Sequence, residues 1–220
     1  MSGRTIAIGD IHGCLTALQT LLDLIKPTPE DTIITLGDYV DRGPDSKGVI
    51  DRLIQLNSET RLVPIMGNHE EMMLSVVRDR EEPYRWLQYG GVDTLDSYGF
   101  GGDLSVVPEL HLAFLDSLAD FFETDSTIFL HANYNPLLPL ADQPTDLLRW
   151  VKLSEYLPEP HMSGKRVILG HTHDRGGEVF WLDHLICLDT YCYGGGWLTA
   201  FDVDSETLWQ VDNKGNVRKS

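Results

Sequence analysis

The feature that most constrains the fold is a unit of apolar strand, polar loop and helix that the sequence repeats three times. In the first unit, the β-branched run Thr5–Ile8 ends in Gly9-Asp10, and leucines at helical spacing follow as far as Ile25. The next two predicted strands end in Gly37-Asp38 and in Gly67-Asn68. This alternation predicts parallel strands with crossover helices, and it predicts that the polar loops meet at the carboxyl edge of the sheet.

The rest of the chain predicts a second, mixed sheet and no repeat. Residues 110–122 have the pattern of a helix, whereas residues 83–102 are predicted to be irregular because glycine pairs interrupt them. We therefore predict an α/β fold in a single domain over residues 1–220. Further strands are predicted over residues 127–130, 166–169, 179–181, 185–188, 198–202 and 207–211.

The charge of the chain argues against some partners. Acidic residues outnumber basic ones by 34 to 17, which gives a formal net charge of −17. Such a surface repels nucleic-acid backbones and anionic membranes, so we expect neither as a partner. Three scattered cysteines, an N-terminus without a signal-peptide core and no long apolar run predict a cytoplasmic protein. We expect it to be a monomer.

Metal-binding residue types follow five of the predicted strands. One such residue is usually a cap or a turn residue, but five sets at one sheet edge are hard to explain as caps. Clustered carboxylates and imidazoles need a cation between them, and this number of donors suffices for two divalent ions. Oxygen and imidazole donors without thiolate favour manganese, with iron or zinc as alternatives. The residues are Asp10, His12, Asp38, Asn68, His69, His131, His171 and His173.

The order of these motifs resembles the phosphoprotein phosphatases, a family within the calcineurin-like metallophosphoesterases, and their bacterial and bacteriophage lambda branch in particular. The resemblance covers the chain from Ile6 to about Thr199 and implies a metallophosphoesterase sandwich of two mixed β-sheets flanked by helices. Its signatures are Gly9-Asp10-Ile11-His12-Gly13, Gly37-Asp38-Tyr39-Val40-Asp41-Arg42-Gly43, Gly67-Asn68-His69-Glu70, His131-Ala132 and Gly170-His171-Thr172.

The resemblance also implies a role for each matching ligand. Asp10 and His12 would bind the first metal, and Asp38 would bridge both metals. The second metal would be bound by Asn68, His131 and His171. A water or hydroxide between the two ions would attack phosphorus in line.

Three further residues match the reacting part of the family motif. The resemblance implies that His69 protonates the leaving oxygen, that Asp41 orients and charges His69, and that Arg42 holds phosphate oxygens. Arg149 is a candidate for a second phosphate-binding arginine, although relatives more often have the arginine after the tryptophan. His173 departs from the family pattern, and it either ligates the first metal or lines the mouth of the site.

The leading functional prediction is hydrolysis of phosphate monoesters in proteins or peptides, on phosphoserine or phosphothreonine and possibly phosphotyrosine. The alternative is a bis(5'-nucleosyl)-tetraphosphatase, a class that shares the fold and most of the motifs. That class typically lacks the acid corresponding to Asp41 and has aspartate at the position of Glu70, so the sequence favours the phosphatase. A non-catalytic scaffold is disfavoured because none of the six core ligands is missing.

Overall fold

The structure is a computed structural model that describes residues 3–219. The predicted domain extends beyond this range by Met1, Ser2 and Ser220, which lie outside the described residues. The strands are β1 (Thr5–Ile8), β2 (Thr32–Thr35), β3 (Arg61–Pro64), β4 (Phe121–Glu123), β5 (Thr127–Leu130), β6 (Arg166–Leu169), β7 (Phe180–Leu182), β8 (Leu185–Cys187), β9 (Leu198–Asp202) and β10 (Leu208–Val211). The α-helices are α1 (Leu15–Ile25), α2 (Ser46–Glu59), α3 (Asn68–Val77), α4 (Tyr84–Trp86), α5 (Val92–Ser97), α6 (Glu109–Asp116) and α7 (Thr145–Trp150).

The strands form two five-stranded mixed sheets. The first has the order β10-β9-β1-β2-β3, in which β1, β2 and β3 are parallel and β9 runs antiparallel to both β1 and β10. The second has the order β4-β5-β6-β8-β7, in which β5, β6 and β8 are parallel and the two edge strands are antiparallel. The predicted fold class, two mixed sheets flanked by helices, is confirmed.

The two sheets pack against each other through alternate residues of their strands. Ala7 and Ile34 of the first sheet share one fully buried apolar cluster with Phe129, Ile168 and Ile186 of the second. Neighbouring residues of β1 point the other way, because side chains alternate along a strand, and they join the cluster that includes α1, α2 and α3. This packing places the carboxyl ends of both sets of parallel strands on the same side of the molecule.

Three parts of the predicted secondary structure were wrong. The helix predicted over residues 110–122 ends at Asp116, and Phe121–Glu123 is instead the edge strand β4. Phe122 stacks on Phe129 of β5 at 6.1 Å between ring centroids, so the pairing of two sheet strands overrides the local helical pattern. The segment predicted to be irregular contains α4, a π-helical turn at Leu87–Gly91 and α5, and α7 was not predicted. Among the described residues, no helix has the length and apolar character needed to cross a membrane.

Candidate metal centre

Polar residues that follow β1, β2, β3, β5 and β6 converge at the carboxyl edge of the two sheets. Several of them have left-handed backbone conformations, with φ of 45° at His12, 50° at Asp38 and 61° at His171. Residues other than glycine seldom adopt this left-handed conformation. Those that do are often found at functional sites. The chain therefore turns sharply after β1, β2 and β6, and each turn directs a ligand side chain towards a common point.

Two groups of side chains at this point could each hold a metal ion. The first consists of His12, Asp38 and His69, and the second of Asp38, His131 and His171, with the potential ligand atoms of each group within 4.8 Å of one another. Asp38 belongs to both groups. Its Oδ2 lies 3.5 Å from His12 Nε2, and its Oδ1 lies 3.4 Å from His131 Nε2. The two oxygens of one carboxylate thus face different groups, as a bridging ligand requires.

Backbone carbonyls set the orientation of the three predicted histidine ligands. Each imidazole has one ring nitrogen within hydrogen-bond distance of a carbonyl oxygen, so that nitrogen carries the proton and the other presents its lone pair. The pairs are His12 Nδ1 with Val40 O at 2.9 Å, His131 Nδ1 with Leu36 O at 2.7 Å and His171 Nε2 with Trp150 O at 2.9 Å.

The electrostatics of the groups favour metal binding as well. Burial lowers the pKa of His12 well below its ordinary value, and it lowers the pKa of His171 to about 3, with His131 adding to the effect. Burial alone would raise the pKa of Asp38, but the neighbouring imidazoles, led by His131, bring it below its ordinary value. These directions favour the neutral form of His12 and His171 and the ionised form of Asp38, which are the protonation states that coordinate a divalent cation.

Asn68 and Asp10 lie beside these groups in different ways. Asn68 Oδ1 lies 3.1 Å from His131 Nε2, and with the proton of His131 on Nδ1 two acceptors face each other there. A cation between them would satisfy both. Asp10 belongs to neither group, and its carboxylate accepts the backbone amide of His171 at 2.9 Å. A Cβ at Gly170 would stand 2.0 Å from Asp10 Oδ1, so only glycine fits this close approach.

These observations fit a dinuclear divalent metal centre. The donors are buried oxygens and imidazoles without a thiolate, and one carboxylate is shared between the two groups. His12, Asp38, Asn68, His131 and His171 are the residues whose positions best suit the ions, whereas the first-metal role of Asp10 stays a prediction. When bound, two ions of this kind polarise a phosphate and supply an activated water.

His69 is hydrogen-bonded to the carboxylate of Asp41, which is shielded from solvent. Its Nδ1 lies 2.6 Å from Asp41 Oδ2, and both side chains are buried. Burial alone would lower the pKa of His69, but the charge of Asp38 and the hydrogen bond to Asp41 raise it above its ordinary value. The pair is therefore arranged to keep a proton on His69, with Nε2 as the nitrogen left to donate it.

The helical segment that was predicted to be irregular supports this pair. The Trp86 indole donates to both oxygens of Asp41, at 3.0 and 3.1 Å, and the Thr94 hydroxyl donates to Asp41 Oδ1 at 2.7 Å. Sequence reasoning missed both residues, and only the Gly90-Gly91 pair gave a signal there. A Cβ at Gly90 would lie 2.6 Å from the Arg42 backbone nitrogen, so the glycine lets this segment approach the loop that carries Arg42.

Arg42 lies at the mouth of the first metal group. Its Nη1 is 3.0 Å from His12 Nε2 and donates to the Tyr193 hydroxyl at 3.1 Å. The guanidinium also lies over the Tyr193 ring, 4.8 Å from the centroid. The predicted phosphate contact of Arg42 stays a prediction, but its place next to His12 is compatible with that role.

Glu70 supports the metal-binding loop and is not a ligand in either group. Its two carboxylate oxygens accept the backbone amides of Asp38 (2.9 Å), Tyr39 (2.7 Å) and Val40 (3.2 Å). These bonds fix the loop whose left-handed turn presents the bridging carboxylate.

The two remaining candidates from the sequence lie outside the metal groups. Arg149 donates to Glu71 at 2.7 Å and to Asp120 at 2.5 Å, so a phosphate would have to displace these carboxylates. The geometry gives no support to the predicted role of Arg149 as a phosphate ligand. His173 stacks on Tyr191 at 4.8 Å between centroids and belongs to neither group. This position favours the mouth of the site over ligation of the first metal.

The family model of the calcineurin-like phosphoesterases matches residues 3–175, which include every predicted ligand. The chain belongs to this family. It is therefore a metallophosphoesterase, a hydrolase whose fold and motif order are those expected from the sequence.

Named relatives in the family fall into two functional classes. A symmetrical bis(5'-nucleosyl)-tetraphosphatase of Acidovorax sp. (strain JS42) is 34% identical over 119 residues, covering 46% of this chain and 41% of that protein. Another, of Janthinobacterium sp. (strain Marseille), is 25% identical and covers 94% of this chain and 95% of that protein. The serine/threonine-protein phosphatase 1 of Salmonella typhimurium is 38% identical over 85 residues, covering 38% of this chain and 37% of that protein.

A solved structure assigned as a diadenosine tetraphosphatase shares the fold. It superposes with a TM-score of 0.73 at 24% identity and covers 96% of this chain and 94% of that one. This chain spans less than half of the length of the Acidovorax relative, at 41%. The named relatives favour the tetraphosphatase alternative over the leading prediction of a protein phosphatase.

Proposed function

We propose that this chain hydrolyses a phosphoanhydride bond of a dinucleoside tetraphosphate and releases nucleoside diphosphates. The observation that carries the proposal is the extent of the match to the Janthinobacterium tetraphosphatase, which covers 94% of this chain and 95% of that protein. The match to the Salmonella protein phosphatase is limited to 38% of this chain. The match to a tetraphosphatase thus covers nearly the whole chain, including the second sheet that supplies His131 and His171.

A second candidate function is hydrolysis of phosphate monoesters in proteins or peptides, and one specific observation favours it. The Asp41–His69 pair is complete, buried and held by Trp86 and Thr94. An alkoxide leaving group needs a proton, whereas a nucleotide leaves as a stable anion and depends less on a general acid. The sequence keeps Asp41 and Glu70, two residues in which it departs from typical tetraphosphatases.

The cofactor proposed for either reaction is a pair of divalent ions, with manganese favoured over iron and zinc. The donors at the site are carboxylate, amide and imidazole groups, and no thiolate belongs to the two groups of described residues. For both substrates, this chain contributes the same steps. Asp38 holds the two ions together, Arg42 binds non-bridging phosphate oxygens, and His69 keeps a proton for the departing oxygen.

The test compares specificity constants for three substrates with manganese present. These are diadenosine tetraphosphate, a basic phosphothreonine peptide and its acidic counterpart. The proposal predicts a preference for the tetraphosphate of about 100-fold, equivalent to roughly 2.7 kcal/mol of transition-state stabilisation. A preference of similar size for the basic phosphopeptide would replace the tetraphosphatase with the second candidate.

A control variant makes the comparison independent of contaminating activity. His131→Ala removes an imidazole of the second metal group, so it should abolish turnover of all three substrates. Residual tetraphosphate hydrolysis in this variant would show that the activity of the preparation comes from another protein. Because the chain carries a net charge of −17, the acidic peptide should be the poorest of the three, and added salt should narrow its disadvantage relative to the basic peptide.

A further inference from the structure

A polar surface continues from the metal centre along the loop that follows β6. The backbone amide of Leu153 donates to Thr172 Oγ1 at 2.9 Å, and this bond holds the segment after α7 against the β6 loop. Lys152 therefore lies beside the loop that carries His173. Arg175 follows two residues later, and the amide of Asp174 donates to the Asp189 carbonyl at 3.0 Å, which fixes that end of the loop.

Two cations on this surface have no carboxylate partner. Lys152 and Arg175 are exposed, and within residues 3–219 neither makes an ion pair, whereas eight other lysines and arginines do. Asp174 does not pair with them either, since its Oδ1 accepts the backbone amide of Glu178 at 3.1 Å.

A series of aromatic contacts leads from His173, two residues before Arg175, to His12 of the first metal group. The rings of His173 and Tyr191 stack at 4.8 Å with an interplanar angle of 23°. Tyr191 contacts Tyr193 edge to face at 4.8 Å, and Tyr193 contacts His12 in the same manner at 4.8 Å. A substrate with phosphates at the metal centre could therefore extend over aromatic rings and past two cations.

We propose that Lys152, Arg175, His173 and Tyr191 form a distal subsite that binds the outer phosphates and one base of a nucleoside polyphosphate. The inference rests on the proposed function and names the residues that would make the site selective for a polyphosphate. A chain of −17 net charge would otherwise repel a tetra-anionic substrate. Lysine and arginine offset that repulsion locally, and stacked aromatic rings offer a nucleobase a planar partner of the kind that single-strand nucleic-acid sites use.

The experiment measures binding separately from turnover. Diadenosine tetraphosphate and inorganic phosphate are each tested as inhibitors of p-nitrophenyl phosphate hydrolysis by the manganese-loaded enzyme. The double variant Lys152→Ala/Arg175→Ala should raise the inhibition constant of the tetraphosphate at least tenfold more than that of phosphate, because phosphate does not reach the distal subsite. His173→Leu should raise it about fivefold or more through lost stacking, with the manganese content of the variant measured by atomic absorption.

Lys214→Ala is the matched control, since Lys214 is exposed in the C-terminal hairpin and makes no ion pair within residues 3–219. It should leave both inhibition constants unchanged. Equal changes for the tetraphosphate and phosphate in the double variant, or no change in either, would overturn the distal subsite. If the wild-type enzyme binds the tetraphosphate through these residues but does not hydrolyse it, the distal subsite stands and the proposed function fails. If the wild-type enzyme hydrolyses the tetraphosphate and the double variant binds the tetraphosphate as tightly as wild type, the proposed function stands and the distal subsite fails.

Discussion

His69 Nδ1 and Asp41 Oδ2 lie 2.6 Å apart in a pocket from which solvent is excluded. Three hydrogen bonds from Trp86 and Thr94 occupy the remaining acceptor capacity of the carboxylate and hold it in one orientation. A carboxylate held in this way fixes the imidazole ring and stabilises its protonated form. The same imidazole belongs to the first metal group with His12 and Asp38, since its Nε2 lies 3.9 Å from Asp38 Oδ2. The structure therefore allows two roles for His69, and they can be separated.

The first prediction separates acid catalysis from metal binding at His69. We expect His69→Asn to retain two manganese ions per chain and to lose about 100-fold in turnover of an alkyl phosphate. The loss should be much smaller for p-nitrophenyl phosphate, whose leaving group needs little protonation. His184→Asn, which changes a histidine bonded to the distant Pro158 carbonyl, serves as the control. Loss of one metal ion in His69→Asn would make His69 a ligand and not the acid.

The second prediction concerns Trp86, which donates to Asp41 and is not a member of either metal group. Trp86→Phe keeps the buried ring but removes the indole donor to Asp41. We expect about a tenfold loss in turnover of alkyl phosphates with an unchanged metal content, because one hydrogen bond to a buried carboxylate is lost. If the loss were equally large for p-nitrophenyl phosphate, Trp86 would act on the fold of the site and not on the proton donor.

The contrast between Asp41 and its supporting residues shows what the sequence could predict. Asp38, Asp41, Asn68 and His69 lie in short motifs at strand ends, so local pattern and resemblance were enough to find them. Trp86 and Thr94 reach Asp41 from 45 and 53 residues away along the chain, through helices whose packing no local pattern encodes. The same limit explains why the strand β4 was predicted as the end of a helix.

Resemblance to the family also predicted less well the side chains whose positions depend on contacts with residues distant in the sequence. Arg149 lies in the region where the family supplies an arginine, yet Glu71 of α3 and Asp120 before β4 bind its guanidinium. His173 matches a metal-binding pattern of more distant relatives, but it stacks on Tyr191. In both cases, partners that are distant in sequence determine where the side chain points.

The third prediction concerns the stabilising effect of the metal. Asp10, Asp38 and Asp189 are buried close enough for their charges to interact, so bound cations should relieve repulsion that only the folded chain experiences. Manganese at 100 times its dissociation constant should stabilise the fold by about 2.7 kcal/mol, or roughly 5–10 °C in the melting temperature. Calorimetry with and without chelator measures this shift. The metal-induced shift in melting temperature should be smaller in His131→Ala. A melting temperature that chelation leaves unchanged, together with full activity, would rule out the dinuclear centre.

The fourth prediction uses Asp31, which is remote from the site. Its carboxylate binds the backbone and guanidinium nitrogens of Arg4 at 2.8 and 2.7 Å. Burial alone would raise the pKa of Asp31, but the hydrogen bonds from Arg4 and Thr28 hold it well below its ordinary value. A carboxyl with a lower pKa in the folded state contributes stability above its unfolded pKa of about 4, and the contribution is lost as the pH falls towards the folded value.

Asp31→Asn should therefore lower the free energy of unfolding by about 1–3 kcal/mol at pH 7. The difference from wild type should narrow as the pH falls below about 4. Urea denaturation at pH 7 and pH 3, with chelator in all samples, measures both values. Asp23→Asn, on the exposed side of α1, should differ little from wild type at either pH. If the difference in free energy of unfolding between Asp31→Asn and wild type were the same at both pH values, the effect of the substitution would come from packing and not from charge.

The last prediction concerns how Arg42 is oriented. Its Nη1 contacts both His12 Nε2 and the Tyr193 hydroxyl. A metal ion bound to His12 would engage the Nε2 lone pair, and the Tyr193 hydroxyl would then be the contact that positions the guanidinium for phosphate. Tyr193→Phe keeps the ring that packs against His12 and under Arg42 but removes this acceptor.

We expect Tyr193→Phe to raise the inhibition constant of inorganic phosphate about three- to tenfold, because it loses one hydrogen bond worth roughly 0.5–1.5 kcal/mol. Its effect on the turnover number should be smaller, because the general acid and the metal groups are unchanged. Tyr89→Phe is the matched control, since the Tyr89 ring borders the site at His69, 6.4 Å between centroids, but its hydroxyl has no hydrogen-bond partner among residues 3–219. Arg42→Ala sets the upper limit of the effect. If phosphate bound equally well to Tyr193→Phe and Tyr89→Phe, the ring of Tyr193 and not its hydroxyl would orient Arg42 through the cation–π contact.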